Sequence, residues 1–333
     1  MALRCDLAGK AVMGFSEVAR SFRSIRRVFM DTVAYLRERR PDCLVAIDYP
    51  GFNLRLAQRA RALGVPVVYY ISPQVWAWKK RRIHTIAQNV KKMLVILPFE
   101  EALYRAAGVD CAYVGHPLLD HIAATEIRGA YRGACVIGLL PGSREQEVAR
   151  LLEPMIGVAR GIRQARPDAR FVAPCVDEAR ERQVRHIAGD FPLETVVAKP
   201  YEVLDAARFC LVASGTATLE TALFGVPMAI LYRTSALNYW LARRLVNVDH
   251  IGLVNILAGR GIVPEFIQAD ACVEKVLPAA LELVAGSRAR EQMLADLREV
   301  RDSLGGPGAS ARAAAEILGV VKGDCDGRPA VSH

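Results

Sequence analysis

Short runs of β-branched and other apolar residues alternate with amphipathic helical stretches along most of this 333-residue chain, and no other feature narrows the possible folds so far. Leu44–Ile47, Val65–Ile71, Met93–Leu97 and Cys111–Val114 read as strands, with Asn53–Leu63, Lys79–Val90 and Phe99–Ala107 as the helices between them. Successive strand positions are apolar, so both faces must be covered, as in a parallel sheet wrapped by helices. The pattern then repeats. Val136–Leu140, Phe171–Ala173, Thr195–Val197, Phe209–Ala213 and Met228–Leu231 read as a second set of strands, separated by helical segments such as Glu145–Arg166 and Thr216–Phe224. The expected architecture is α/β, with two doubly wound Rossmann-like domains facing a cleft, and ligands in such folds sit at the carboxyl ends of strands. We place the domains at 1–117 and 118–305, with the stretch Pro117–Gly133 as the loose join and 306–333 as a final helix and tail after Gly305-Gly306-Pro307-Gly308.

Hydrophobic residues at 52 % and charged residues at 24 % describe a packed protein, which removes disordered, collagen-like and coiled-coil classes. The net charge of +9 is unevenly distributed: residues 1–133 hold 21 Lys/Arg against 11 Asp/Glu, and the remainder 23 against 24. A local basic excess predicts a local anionic partner, a nucleic acid or a membrane headgroup layer. No nucleic-acid-binding signature accompanies it, so no nucleic-acid partner is expected. Eight cysteines without a C-x-x-C pair read as buried free thiols in a reducing compartment. The longest apolar run, from Phe209, meets Glu220 after eleven residues, too few to span a bilayer. A cytoplasmic, at most membrane-apposed, protein is expected.

Three strand-to-helix junctions could carry chemistry. Asp48 ends the first strand in Asp48-Tyr49-Pro50-Gly51-Phe52-Asn53, where partial burial would raise its pKa toward that of a general base; a turn or N-cap aspartate is the plainer alternative. Leu140-Pro141-Gly142-Ser143-Arg144 presents backbone N–H groups and a forked cation suited to a phosphate, against the alternative of a capped helix with Arg144 in a surface pair. Ser214-Gly215-Thr216 opens a further helix where hydroxyls and N–H groups suit a diphosphate, and Glu220 one turn on could accept from ribose hydroxyls. Neither turn is G-x-G-x-x-G or a P-loop, so a nicotinamide cofactor loses support and no cofactor is expected. The histidines show no metal-ligand spacing, so no metal is expected and His116 defaults to a structural role. From Phe15 to Leu36, apolar Phe15, Val18, Phe22, Ile25, Val28, Phe29, Val33 and Leu36 recur at helical spacing among Arg20, Arg23, Arg26 and Arg27. Such a helix can lie on an anionic bilayer, or face a core with a solvated basic back. Lys79-Lys80-Arg81-Arg82, after Trp76-Ala77-Trp78, is a second basic and aromatic cluster.

Together these segments resemble the lipid-A-disaccharide synthase family. The matching text is Val12-Met13-Gly14-Phe15, Ile47-Asp48-Tyr49-Pro50-Gly51-Phe52-Asn53, Ser72-Pro73-Gln74-Val75-Trp76-Ala77-Trp78, Leu97-Pro98-Phe99-Glu100, Gly115-His116-Pro117, Leu140-Pro141-Gly142-Ser143-Arg144, Ser214-Gly215-Thr216 and Asn255-Ile256-Leu257-Ala258-Gly259-Arg260, in order over nearly the whole chain. The resemblance implies a GT-B glycosyltransferase that moves 2,3-diacylglucosamine from its UDP conjugate onto 2,3-diacylglucosamine 1-phosphate with inversion, on the cytoplasmic face of the inner membrane. It implies Asp48 as the base for the acceptor 6-hydroxyl, Arg144 and the Ser214–Thr216 helix start for the departing diphosphate, and Ser143, Glu220, Asn255 and Arg260 on the UDP side. Phe15, Val18, Phe22, Arg23, Arg26 and Arg27 would face the membrane and acceptor, and a homodimer is left open. The rivals are another GT-B enzyme on UDP-sugars, such as a UDP-N-acetylglucosamine 2-epimerase, and an inactive lipid-binding remnant. Two departures stand out. Gly51 replaces an aspartate common in the family, which leaves Asp48 as the carboxylate there. The family's first strand, its G-E-x-S-G-D loop and the next strand have no counterpart, so the first domain is expected to be incomplete and turnover impaired.

Overall fold

A computed structural model describes residues 15–78, 81–245 and 249–325, which divide into two α/β units. One unit runs to Pro117 and resumes at Gly308, and the other is Leu118–Pro307.

The first unit holds four parallel strands in the order β1-β2-β3-β4: β1 (Leu44–Ile47), β2 (Val67–Tyr70), β3 (Lys92–Val95) and β4 (Cys111–Tyr113). Helices α1 (Phe15–Arg39), α2 (Pro50–Ala62), α3 (Arg82–Asn89) and α4 (Pro98–Ala106) belong to it. The uniformly apolar strand text has its reason in β2 and β3, where Val67, Val68, Tyr69, Met93, Leu94 and Val95 are all buried. In β1, the edge strand among the described residues, alternation governs instead, with Ala46 buried and Val45 and Ile47 exposed. α1 closes one face: Leu36 is buried, Val33 packs on the core, and Phe29 meets Phe52 edge-on at 5.5 Å between ring centroids. From Phe29 onward the apolar stripe expected to meet a bilayer therefore faces the protein core.

The second unit starts in α5 (Pro117–Ala124), so the supposed loose join begins as a helix with proline at its first position. Six parallel strands follow: β5 (Cys135–Leu140), β6 (Ala169–Cys175), β7 (Leu193–Val197), β8 (Ala207–Ala213), β9 (Met228–Tyr232) and β10 (Glu265–Ile267), in the order β10-β9-β8-β5-β6-β7. The three-residue strand β10 went unread in the sequence. The covering helices are α6 (Glu145–Ala165), α7 (Glu178–Ala188), α8 (Pro200–Ala206), α9 (Thr216–Leu223), α10 (Ala236–Leu245), α11 (Leu253–Ala258), α12 (Val273–Ala285) and α13 (Arg288–Ser303).

The last helix, α14 (Ala309–Cys325), is no free tail: Ala313 and Val320 pack with Val68, Leu94 and Val114 in the first unit. Lys92 Nζ meets Glu316 at 2.7 Å, and Arg312 Nε donates to the Val114 carbonyl at 2.8 Å. Among the described residues no helix is long and apolar enough to cross a membrane, and Cys43, Cys111, Cys135, Cys175, Cys210 and Cys272 are free thiols.

Candidate functional site

In the second unit the strand order reverses between β5 and β8: the chain winds outward from β5 through β6 to β7, and from β8 through β9 to β10. Such a switch point opens a crevice at the strands' carboxyl ends. Leu140 pairs with Val212 there, so the Pro141–Arg144 turn and the Ser214–Thr216 turn leave neighbouring strands side by side. Each turn runs into a helix start, α6 or α9, where unpaired N–H groups and the helix dipole favour an anion.

The two starts differ. At the first, Gly142 takes φ 106°, a conformation that favours glycine, and the Glu147 side chain folds back over the turn. Its Oε2 accepts from the backbone N–H groups of Ser143 and Arg144, each at 3.2 Å, while Oε1 takes Arg144 Nη1 at 2.7 Å. The N–H groups expected to be open are thus occupied, and the plainer alternative of a capped helix with Arg144 paired describes the turn as it stands. At the second start no side chain caps the helix; Gly215 has φ 155°, and Gly215 and Thr216 are exposed. The Ser214 hydroxyl donates to the Ile251 carbonyl at 3.1 Å, and Thr218 Oγ1 donates to the Gly215 carbonyl at 2.8 Å.

Glu220 is held from behind, its Oε1 accepting from the Tyr201 hydroxyl at 3.0 Å. Burial first, and the Glu220 charge second, keep the proton on that phenol by raising its pKa. Tyr201 packs against the Phe224 and His121 rings.

Asn255 and Arg260, expected on the UDP side, both have protein partners in the structure. Asn255 is fully buried with both ends of its amide engaged: Nδ2 donates to the Val263 carbonyl and to Glu265, both at 2.8 Å, and Oδ1 accepts from Ile262 and Val263 N–H at 2.9 Å. It builds the scaffold behind the crevice and has no capacity left for a nucleotide. Arg260 pairs with Asp296 at 2.9 Å and Glu299 at 3.3 Å on α13, and its side chain is half exposed.

Sequence reasoning missed Glu147, although an acidic residue three positions after a helix N-cap is a recognisable signal. It also missed Tyr201 and Glu265. Glu265 accepts from Ile251 N–H at 3.0 Å and Gly252 N–H at 2.9 Å, shaping the loop that Ser214 touches. Beyond β9 and β10, Arg150, Glu153, Arg233, Thr234 and Gln268 line a cavity of about 490 Å³. The Gln268 side-chain amide clasps the Thr234 backbone at 2.7 and 3.1 Å there, and Arg233 donates to the Gln268 and Ala271 carbonyls. No local pattern announces these long-range contacts.

In the first unit Asp48 stands at the carboxyl end of β1. The expectation of partial burial is not met: Asp48 is exposed, and among the described residues β1 pairs with β2 alone. Its backbone is tightly held nonetheless. Asp48 and Tyr49 take φ 46° and 45°, and Ile71, after β2, takes 64°, conformations that cost side-chain-bearing residues energy. The Tyr69 hydroxyl donates to the Asp48 carbonyl at 2.6 Å, and Asn53 Nδ2 donates to the Ile47 and Asp48 carbonyls at 3.0 and 2.8 Å.

The two aromatic and acidic motifs of this unit explain one another. Glu100 is buried and accepts from the Ser72 hydroxyl at 2.6 Å and Trp76 Nε1 at 3.0 Å. Burial raises its pKa, and those hydrogen bonds oppose the rise. His116 is buried and its pKa is pushed down to about 4 by desolvation, so it is neutral at pH 7. Trp78 is exposed, with Arg82 stacked over its ring at 5.1 Å, and Arg26 and Arg27 on α1 are exposed. Phe15, Val18, Phe22 and Arg23 lie outside the residues whose side chains are described, and Val12-Met13-Gly14, Lys79 and Lys80 lie outside the described residues altogether. Among the described residues no three His, Cys, Asp or Glu side chains gather as metal ligands.

Comparison with known proteins adds to this geometry. The lipid-A-disaccharide synthetase family profile matches residues 5–316. The lipid-A-disaccharide synthase of Syntrophus aciditrophicus is 43 % identical over 334 residues, covering 97 % of this chain and 87 % of that protein. That of Anaeromyxobacter sp. strain K is 44 % identical over 322 residues, covering 94 % and 84 %. Among solved structures, the UDP-GlcNAc 2-epimerase of Neisseria meningitidis bound to UDP-GlcNAc superposes with a TM-score of 0.61 at 12 % identity, covering 92 % of this chain and 82 % of that one. UGT73P12 of Glycyrrhiza uralensis superposes with 0.59 at 10 %, covering 96 % and 82 %. At such identities the likeness is one of fold, and that fold is GT-B with two Rossmann-like units. With its motifs in family order, the family profile matching residues 5–316 and relatives above 40 % identity, the chain belongs to the lipid-A-disaccharide synthase family of glycosyltransferases.

Proposed function

We propose that the protein transfers 2,3-diacylglucosamine from UDP-2,3-diacylglucosamine to 2,3-diacylglucosamine 1-phosphate, releasing UDP and lipid A disaccharide 1-phosphate. The observation that carries this reading is the pair of helix starts side by side at the switch point of the second sheet, one with Arg144 beside it. Ser143, Arg144, Ser214, Gly215 and Thr216 bind the diphosphate, and their donors gain strength as negative charge develops on the leaving group. Glu220, oriented by Tyr201, accepts from the ribose hydroxyls. Asp48 takes the proton of the acceptor 6-hydroxyl as that oxygen attacks the anomeric carbon, so the new bond forms with inversion. Its exposure leaves it accessible to an incoming acceptor, and the braces from Tyr69 and Asn53 hold the backbone that aims it.

Both substrates carry acyl chains, so the protein works at the cytoplasmic face of the inner membrane. The exposed Arg26 and Arg27 support an anionic surface as the docking partner, and the sequence continues that basic and apolar pattern back through Arg23, Phe22, Val18 and Phe15. The test is to incubate the purified protein with UDP-2,3-diacylglucosamine and follow UDP with and without the acceptor. UDP should appear only when 2,3-diacylglucosamine 1-phosphate is supplied, with a tetraacyl disaccharide 1-phosphate seen by mass spectrometry. Release of UDP without acceptor, or an epimerised donor, would overturn the reading.

A further inference from the structure

Glu147 occupies the place on the α6 start that the proposed reading gives to the diphosphate. Its Oε2 lies over the Gly142–Arg144 turn so closely that a Cβ on Gly142 would stand 2.5 Å from it. One carboxylate thus takes both backbone N–H groups of the turn and the guanidinium beside them. A diphosphate needs those same three donors, and two anions cannot share them without a strong like-charge penalty.

The bonds are uneven in a way that bears on function. Arg144 holds Glu147 at 2.7 Å, a normal charge-assisted length, whereas both N–H contacts are long at 3.2 Å. Arg144 is 79 % exposed at its side chain and Glu147 30 %, so the pair can swing away from the turn together. The neighbouring α9 start has no side-chain cap at all.

We infer that Glu147 is a built-in stand-in for the diphosphate. It satisfies the turn when the site is empty, yields its donors to the bound nucleotide, and on returning helps to expel UDP after transfer. This inference rests on the diphosphate site proposed above. The exchange leaves no buried donor unpaired at either end, and its consequence is weaker product binding in return for faster release.

Glu147→Gln separates this role from simple capping, since it keeps the hydrogen-bonding shape and removes the charge. Calorimetry should show UDP binding roughly tenfold tighter than in the unaltered protein, the size set by losing one charge-assisted competitor. Stopped-flow displacement should show correspondingly slower UDP dissociation, and uridine, which carries no phosphate, should bind as before. Should the glutamine variant fold poorly, Glu147→Asp, whose carboxylate falls a methylene short of the turn, gives the same reading. UDP affinity that is unchanged or weaker in a folded variant would overturn the inference. Arg144→Ala distinguishes the two levels of the argument: if it leaves UDP binding untouched, the diphosphate site itself is misplaced. If it weakens UDP while Glu147→Gln fails to tighten it, only the stand-in role is lost.

Discussion

At the carboxyl edge of the first sheet the left-handed backbone is carried by Asp48, Tyr49 and Ile71 as well as Gly115, whereas at the centre of the second sheet it is carried by Gly142 and Gly215. The side-chain-bearing residues that take positive φ in the second unit, Ala198 and Gln268, lie beyond its outer strands β7 and β10. The difference follows what each edge offers a ligand. A helix start binds an anion with main-chain N–H groups, so glycine is the economical residue there and no strain need be stored. The proposed base is a side chain, and there the backbone carries a cost of about 1–3 kcal/mol per strained residue, offset by hydrogen bonds from Tyr69 and Asn53. On the reading proposed above, the two edges divide proton transfer from anion binding.

The division is tested most severely at Asp48. Asp48→Asn should lower kcat by roughly 10²–10⁴-fold, the range for a lost general base, with UDP affinity unchanged in calorimetry. Weakened UDP binding with intact turnover would abolish the distinction between the edges.

Acid should strike the first unit next. Burial holds His116 at about 4, below its ordinary 6.5, so the unfolded chain takes up the proton first as pH falls. The His116 contribution to stability is therefore complete above about pH 6.5, declines toward pH 4 by an amount on the order of 3 kcal/mol, and levels off below. Denaturant titrations at pH 7 and pH 4.5 check this, and His116→Gln should flatten the decline.

Arg144→Ala should weaken UDP binding roughly tenfold or more, the worth of one charge-assisted contact, while leaving the stability of the first unit unchanged. The smallest effect belongs to Tyr69→Phe, which removes the 2.6 Å bond to the Asp48 carbonyl. It should cost about 1 kcal/mol in denaturant titration and loosen the placement of Asp48, lowering kcat more than it raises KM.

The nine strands expected from apolar runs are present, with ends that differ by a residue or two, because strands buried on both faces leave a local and continuous signal. β10 escaped because three residues after a proline carry too little pattern. The same locality explains the site. Both phosphate-suited turns and Asp48 announce themselves through strand, turn and helix text a few residues long. The contacts of Asn255 with Glu265 and of Arg260 with Asp296 follow no periodic pattern in the sequence, and only folding reveals them. The Tyr201 contact with Glu220 was invisible for that reason too. Glu147 was missed despite its nearness, since a carboxylate next to a presumed anion site looks unhelpful until it is seen accepting from the N–H groups of that turn.

The return of α14 to the first sheet gives the protein a particular order of assembly. Val114 leaves the ribosome 198 residues ahead of the Arg312 that closes on it, with all of the second unit made in between. The unit begun first is thus completed last. During synthesis the face of β2 and β3 that awaits Ala313 and Val320 stays uncovered, and a nascent chain stalled in that interval would be a natural client for chaperones that recognise bare apolar surface.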